Sequence, residues 1–121
     1  MSYSVGEVAD QTGLSAHTLR WYEQVGLLDP VGRDTGGRRR YADTDLDRLR
    51  FLIKLRSTGM PVRDMVRYIE LVRRGPLTVD ERLAILVEHR QRVLAQIESL
   101  TDDLKIIDYK IDIYSNQEAV T

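Results

Sequence analysis

The stretch SVGEVADQTGLSAHTLRWYEQVGLLDPVGRDTGGRRRY, Ser4 to Tyr41, decides the fold. Ser4 and Glu7 have the spacing of a capping box, so a helix opens there with Val5, Val8 and Ala9 on its apolar side. Gly13 falls where a left-handed cap would close it, and Ser15 is the next N-cap candidate. A second helix is expected over about Ala16 to Val25, with Leu19 and Val25 inward and Gly26 as its stop. Two short helices joined by about three residues make a helix-turn-helix. Leu27-Leu28 and Arg39 to Tyr41 are expected as two short strands. Pro30, Gly32 and Gly36-Gly37 supply the turn between them, so the pair is a hairpin or wing.

Asp43 or Thr44 is expected to cap a third helix, about Asp45 to Ser57, with Leu46, Leu49, Ile53 and Phe51 as candidates for its inner face. Pro61 suits the first turn of a fourth, in which Met65, Ile69 and Val72 share a face up to Gly75. Gly75-Pro76 is a break, and Thr78 with Glu81 repeats the capping-box spacing. From Val79 the apolar residues then step by four and three: Leu83, Leu86, Val93, Ile97, Leu100, Leu104, Ile107, Ile111 and Tyr114, interrupted once, at Arg90. That alternation is a coiled-coil seam. Roughly 35 helical residues make a rod of about 50 Å, and a lone helix with such a stripe is poorly stable and poorly soluble. It needs a second copy or, in the competing reading, its own N-terminal half. The expected class is mostly α: a winged helix-turn-helix DNA-binding domain over residues 1–75, a dimerisation helix over 76–115 and a disordered tail over 116–121.

Composition narrows the function. Cysteine is absent, which removes disulfides, thiolate nucleophiles and thiolate metal sites. His17 and His89 are the only histidines, and no calcium-loop spacing occurs, so no metal and no cofactor is expected. No apolar run approaches the ~20 residues of a membrane span. The N-terminus lacks the marks of a secretory leader, so a cytoplasmic protein is expected. The net charge of −1 hides an asymmetry. Residues 1–77 carry 13 Lys/Arg against 10 Asp/Glu (+3), and residues 78–121 carry 5 against 9 (−4). A basic front and an acidic rear suit a protein that turns one end towards a polyanion.

Ser15, His17, Thr18, Arg20, Trp21 and Tyr22 lie on the second helix, whose first turn offers free N–H groups to phosphate and whose side chains suit base edges. Of the two aromatics, one ring is expected inward and one hydroxyl at the DNA backbone. Arg33, Arg38, Arg39 and Arg40 fall within eight residues, a cluster that an anion would stabilise; a merely solvated basic loop is the plainer reading. Strand alternation would send Arg38 and Arg40 one way and Arg39 with Tyr41 the other. No Ser/His/Asp set, phosphate loop or dinucleotide fingerprint is present, so no enzyme is expected. A coiled-coil adaptor, or an architectural DNA-binding protein without an effector, is the alternative to a sequence-specific regulator.

Taken together, Ser4-Val5-Gly6-Glu7-Val8-Ala9, Thr12-Gly13-Leu14-Ser15, Thr18-Leu19-Arg20-Trp21-Tyr22-Glu23, Gly26-Leu27-Leu28, Gly37-Arg38-Arg39-Arg40-Tyr41 and Arg56-Ser57-Thr58-Gly59-Met60 resemble the MerR family of transcriptional regulators. The resemblance runs over about residues 3–75. It implies a winged helix-turn-helix and an antiparallel coiled-coil homodimer on a pseudo-palindromic site in double-stranded promoter DNA. It also implies control by distorting the DNA between the −35 and −10 elements, realigning them for RNA polymerase. By position it makes His17 and Arg20 recognition-helix contacts and Tyr22 a phosphate contact. Arg33, Arg39 and Tyr41 become wing contacts, and Arg56 a backbone contact outside the wing. Trp21 stands where the family commonly has Tyr or Phe, and Arg38 replaces a usual wing aromatic. The cysteines of metal- and thiol-sensing relatives are missing, and no separate ligand domain is expected after the dimer helix, so the chain is most similar to the short members and the resemblance names no effector. Tyr68, Leu71, Val72, Leu83, Val87, Tyr109 and Tyr114 suit an effector pocket by type alone, and core or dimer seam is the favoured reading for them.

Overall fold

The computed structural model describes residues 1–120, with side chains through Gln117. The order of elements is β1 (Ser2–Ser4), α1 (Val5–Thr12), α2 (Ala16–Gln24), β2 (Gly32–Arg33), β3 (Arg39–Ala42), α3 (Asp43–Ser57), α4 (Val62–Arg74), a 3-10 turn (Pro76–Thr78) and α5 (Val79–Val120). The chain clusters into two compact units, Met1–Ile85 and the part of α5 from Leu86 onward.

In the first unit the caps sit where the residues demand them. Ser4 Oγ accepts from Glu7 N while the Glu7 carboxylate accepts from Ser4 N, a closed capping box at 3.2 Å each way. Gly13 at φ +76° ends α1 in the left-handed region that a side chain would resist. Ser15 caps α2 by accepting from Thr18 N. The core is then Val8, Leu19, Tyr22, Leu27, Leu28, Tyr41 and Leu46, with Leu49, Leu52, Leu55, Met60, Met65, Ile69 and Leu71 from the later helices.

The sheet departs from expectation. Its order is β1-β3-β2, with β3 pairing antiparallel to both neighbours. Leu27-Leu28 form no strand; they are a buried turn, and the first wing strand is Gly32–Arg33. Two adjacent leucines in a half-exposed hairpin would leave one in water, and the fold instead buries both. The outer strand, Ser2–Ser4, was not expected at all, because three residues carry too short a pattern to read.

The helix faces need correction too. Phe51 is exposed and touches Tyr68 at a centroid distance of 5.8 Å, while Leu52 and Leu55 take the inward positions of α3 beside Leu46 and Leu49. Asp45 caps α3 by accepting from Ala42 N at 2.8 Å, which moves the start of the helix to Asp43. Thr78 does not cap α5. Its hydroxyl turns back to the carbonyls of Leu71 (2.6 Å) and Gly75 (2.9 Å), fastening the 3-10 turn to the end of α4.

In the second unit, α5 continues as one helix. The tail expected over 116–121 is helical through Val120, since Asn116-Gln117-Glu118-Ala119 contains no glycine or proline to stop it; Thr121 lies outside the described residues. Seam residues are left open in the single chain: Ile97 is 54% and Leu100 67% exposed, and Leu83, Leu104, Ile107 and Ile111 are exposed as well. Leu86 and Val93 are half-buried.

Candidate nucleic-acid interface

The outer side of α2 carries the expected polar set. His17 and Arg20 are exposed and make no hydrogen bond or ion pair within the described residues. Ser15 and Thr18 are committed to the helix start, since Ser15 Oγ both accepts from Thr18 N and donates to Thr18 Oγ1 at 3.0 Å. A phosphate approaching that turn meets a capped end.

The aromatic pair divides as its chemistry suggests. The Tyr22 ring is packed inside at 5% exposure, while Trp21 is 37% exposed beside it, with centroids 5.5 Å apart. Burial pushes the Tyr22 hydroxyl above its ordinary pKa, and the Arg56 guanidinium acts against that shift. Tyr22 and Arg56 are therefore neighbours, although α2 and α3 bring them together from 34 positions apart. Arg56 also reaches back to the Met60 carbonyl at 3.4 Å.

The wing is built on Asp34. One carboxylate oxygen accepts from Gly36 N (2.9 Å) and from Arg38 N (3.0 Å), and backbone bonds between residues 34 and 37–38 close the turn. Those backbone donors, Arg38 N foremost, hold the Asp34 carboxyl below its usual pKa. Gly37 at φ +79° supplies the left-handed step. Sequence reading passed over Asp34, although an Asp two residues before a glycine pair is an Asx-turn signal.

Alternation along β3 is as expected for the pair Arg39 and Tyr41, but both face inward. Arg39 Nε donates to Glu23 Oε2 at 3.0 Å, an ion pair whose side chains are 23% and 19% exposed. Glu23 thus ties α2 to the wing, and nothing local in the sequence marks that role. Like charges face each other at the Arg33–Arg39 register, which costs energy that Glu23 offsets. Tyr41 is fully buried, hydroxyl included, and that hydroxyl has no hydrogen-bond partner. In this structure it supports the wing from beneath and does not present itself to a ligand.

Arg33 and Arg38 are exposed, and Arg40 is half-buried. Arg33 donates to the Gly37 carbonyl at 2.9 Å, and Arg40 clamps Ser2 through its carbonyl and hydroxyl, each 3.1 Å away. The Arg38 side chain is exposed and without a partner among the described residues. Between these arginines and the first turn of α1, Ser4 to Gly6, lies an open groove of about 420 Å³. Guanidinium groups, with the Asp34 carboxylate among them, line one wall and the capped start of α1 the other, so the arginines are what suits a phosphate. No cluster of three or more metal-ligating side chains occurs among the described residues, and no helix there is long and apolar enough to cross a membrane.

Known proteins share this fold. The profile described as MerR HTH family regulatory protein matches residues 3–71, and one described as MerR, DNA binding matches residues 46–105. An uncharacterised HTH-type transcriptional regulator of Haemophilus influenzae is 38% identical over 120 residues, covering 99% of this chain and 89% of that protein. The crystal structure of HiNmlR, a MerR family regulator lacking the sensor domain and bound to promoter DNA, superposes with a TM-score of 0.86. It is 39% identical, covering 98% of this chain and 94% of that one. A MerR family regulator from Bacillus thuringiensis superposes with a TM-score of 0.81 at 30% identity, covering 92% and 97%.

Proposed function

The chain belongs to the MerR family of HTH regulatory proteins, DNA-binding transcriptional regulators and not enzymes, and from that premise we propose that it binds a pseudo-palindromic promoter site as a homodimer. The observation that carries the reading is the cationic groove between the wing arginines and the start of α1, beside an α2 whose His17 and Arg20 are unengaged. The wing holds phosphates and sets register, while His17, Arg20 and Trp21 address base edges. Tyr22 and Arg56 meet the backbone together.

The open α5 seam supports the dimer. Two protomers engage two half-sites of one face of the duplex, and rigid coupling between them bends and untwists the intervening DNA. RNA polymerase at the bound promoter then meets −35 and −10 elements brought into line. The place of action is the cytoplasm. The likeness to HiNmlR, described as lacking a sensor domain, supports a regulator whose sensing, where present, is built into these same helices.

The test is selection of genomic DNA fragments on the purified protein at ~0.15 M salt, followed by sequencing. A dyad-symmetric site inside a promoter, with an unusually long gap between the polymerase elements, is expected. Enrichment without symmetry or promoter location would overturn the reading in favour of an architectural DNA-binding protein or an adaptor.

A further inference from the structure

One carboxylate collects two cations from two different helices. Asp29 follows α2 in a turn held against that helix: Leu27 N and Leu28 N both donate to the Tyr22 carbonyl, at 2.9 and 3.3 Å, and both leucine side chains are buried. One Asp29 oxygen accepts from Arg48 Nη1 of α3 at 3.2 Å, the other from Arg73 Nε in the last turn of α4 at 2.8 Å. Arg73 also lies over the turn itself, since a Cβ on Gly26 would come within 3.9 Å of its Nη1. Beyond Arg73 the chain is fastened to the start of α5. The buried Thr78 hydroxyl reaches the carbonyls of Leu71 and Gly75, Arg82 Nη2 donates to the Gly75 carbonyl at 3.3 Å, and Arg67 of α4 pairs with Glu81 at 3.4 Å. All these residues belong to the first unit, which includes α5 as far as Ile85. A polar route thus runs from the end of α2, through Arg73, to the first turns of α5.

We propose that Arg73 is a positioning residue for operator recognition: by holding Asp29 to the end of α4 it fixes the angle between α2 and the start of α5, and with it the half-site spacing that a dimer accepts. The inference rests on the homodimer reading above and deepens it. Two copies joined along α5 present two α2 helices, and neither α2 by itself carries any measure of the distance to the other. That distance follows from the angle at which α5 leaves each first unit. At ~1.5 Å per residue α5 is a rod of about 60 Å, so a tilt of about 5° at its start displaces its far end by about 5 Å. Successive phosphates of one strand lie about 3.4 Å apart along the duplex, so a displacement of that size exceeds one base-pair step. An ion pair whose members are 36% and 57% exposed adds little to stability. Its direction is what it contributes, because a planar guanidinium donates along fixed lines and holds an angle that a point charge would not.

The probes are duplexes carrying the two half-sites recovered by the genomic selection, with the spacer at its natural length or changed by one or two base pairs, beside a duplex with a single half-site. The parent protein is expected to favour the natural spacer about tenfold or more over its neighbours, since a wrong spacing must be met by deforming the DNA. Arg73→Gln is expected to cut that preference to about threefold or less, or to move the optimum by one base pair, while affinity for the single half-site stays within about twofold. Asp29→Ala breaks the same link from the other side and is expected to give the same profile. Arg48→Gln, which leaves the link to α4 in place, is expected to keep the parental one. Parental spacing preference in both Arg73→Gln and Asp29→Ala overturns the proposal, and so does an Arg48→Gln profile altered as much as theirs. An equal loss on every duplex, the single half-site included, overturns it too, by making Arg73 a DNA contact or a folding residue. A parent protein that binds paired half-sites no more tightly than one half-site overturns the homodimer reading itself, and the proposal with it.

Discussion

Replacing Tyr41 by phenylalanine separates two roles for this side chain. Residue matching places Tyr41 among the DNA contacts; the structure buries it completely, with an unpaired hydroxyl near Arg39, Glu23, Asp45 and Arg20. Burial first, with the Glu23 and Asp45 carboxylates adding to it and Arg39 and Arg20 opposing, pushes that phenol above its ordinary pKa, so it stays neutral and carries its desolvation cost as an OH. An unsatisfied buried hydroxyl costs about 1–3 kcal/mol, and phenylalanine keeps the ring while removing the cost. Taking the lower end, Tyr41→Phe should stabilise the protein by about 1 kcal/mol, a rise in melting temperature of roughly 4–8 °C for a unit of this size. Operator affinity, read by fluorescence anisotropy, should remain within about twofold, or roughly 0.4 kcal/mol. Tyr41→Ala is the contrasting control, expected to lose about 3–5 kcal/mol by leaving a cavity under the wing. A loss of stability in Tyr41→Phe would mean that the hydroxyl has a partner. A tenfold fall in affinity at unchanged stability would mean that it reaches DNA, and either result refutes the reasoning.

Arg20→Ala should weaken binding unevenly across operator variants, by about 1–3 kcal/mol at the bases it reads, whereas Arg38→Ala should weaken binding to operator and random DNA alike and reduce the salt slope; equal losses for both on all DNA would remove specificity from α2. If the chain binds as a homodimer and each protomer neutralises about five phosphates, log K should fall with log salt at a slope near −9, measured by titration from low to moderate salt. Glu23→Gln leaves the half-buried Arg39 without its counter-charge and should cost about 1–2 kcal/mol in urea unfolding, with the wing more open to proteolysis; no change in either would show that the ion pair does not hold the wing. Asp29 receives Arg73 at 2.8 Å and Arg48 at 3.2 Å, and the Arg73 hydrogen bond is the main cause that lowers its carboxyl pKa. A depressed carboxylate stabilises above its unfolded pKa and loses that effect as pH falls through the folded one. Since Asp29 is 57% exposed, the loss in Asp29→Asn should be no more than about 1 kcal/mol at neutral pH, vanishing in acid below the ordinary carboxylate range. Ile97→Asp and Leu104→Asp should each yield monomers with little operator affinity, and a dimer surviving both by sedimentation would move the interface off the seam.

Much of the fold can be read locally. Ser4 with Glu7, Ser15, Gly13 and Pro61 are each decided by groups within a turn of one another, so the starts and stops of the helices follow from composition and spacing. The four-three alternation of α5 is equally local, and so is the wing turn at Gly36-Gly37. Readings failed where the deciding neighbour is far along the chain. Leu27-Leu28 looks like a strand until the core that buries both is known, and β1 exists because β3 offers an edge to Ser2–Ser4. Thr78 has the spacing of a cap, but carbonyls at the end of α4 compete for its hydroxyl and win.

The candidate site divides along the same line. The sequence by itself determined which side chains are available: a helix with His17 and Arg20 on its polar side, a turn loaded with four arginines, and a long apolar seam. Only the tertiary structure decided how those charges are used. It spends Arg39 on Glu23 and Arg40 on Ser2, hides Tyr41 beneath the wing, brings Arg56 to Tyr22, and leaves Arg38 and Arg20 facing out. Caps, turns and periodicity are fixed by backbone geometry over a few residues. Burial and ion pairing are fixed by which distant segments meet, and that is a property of the packed chain.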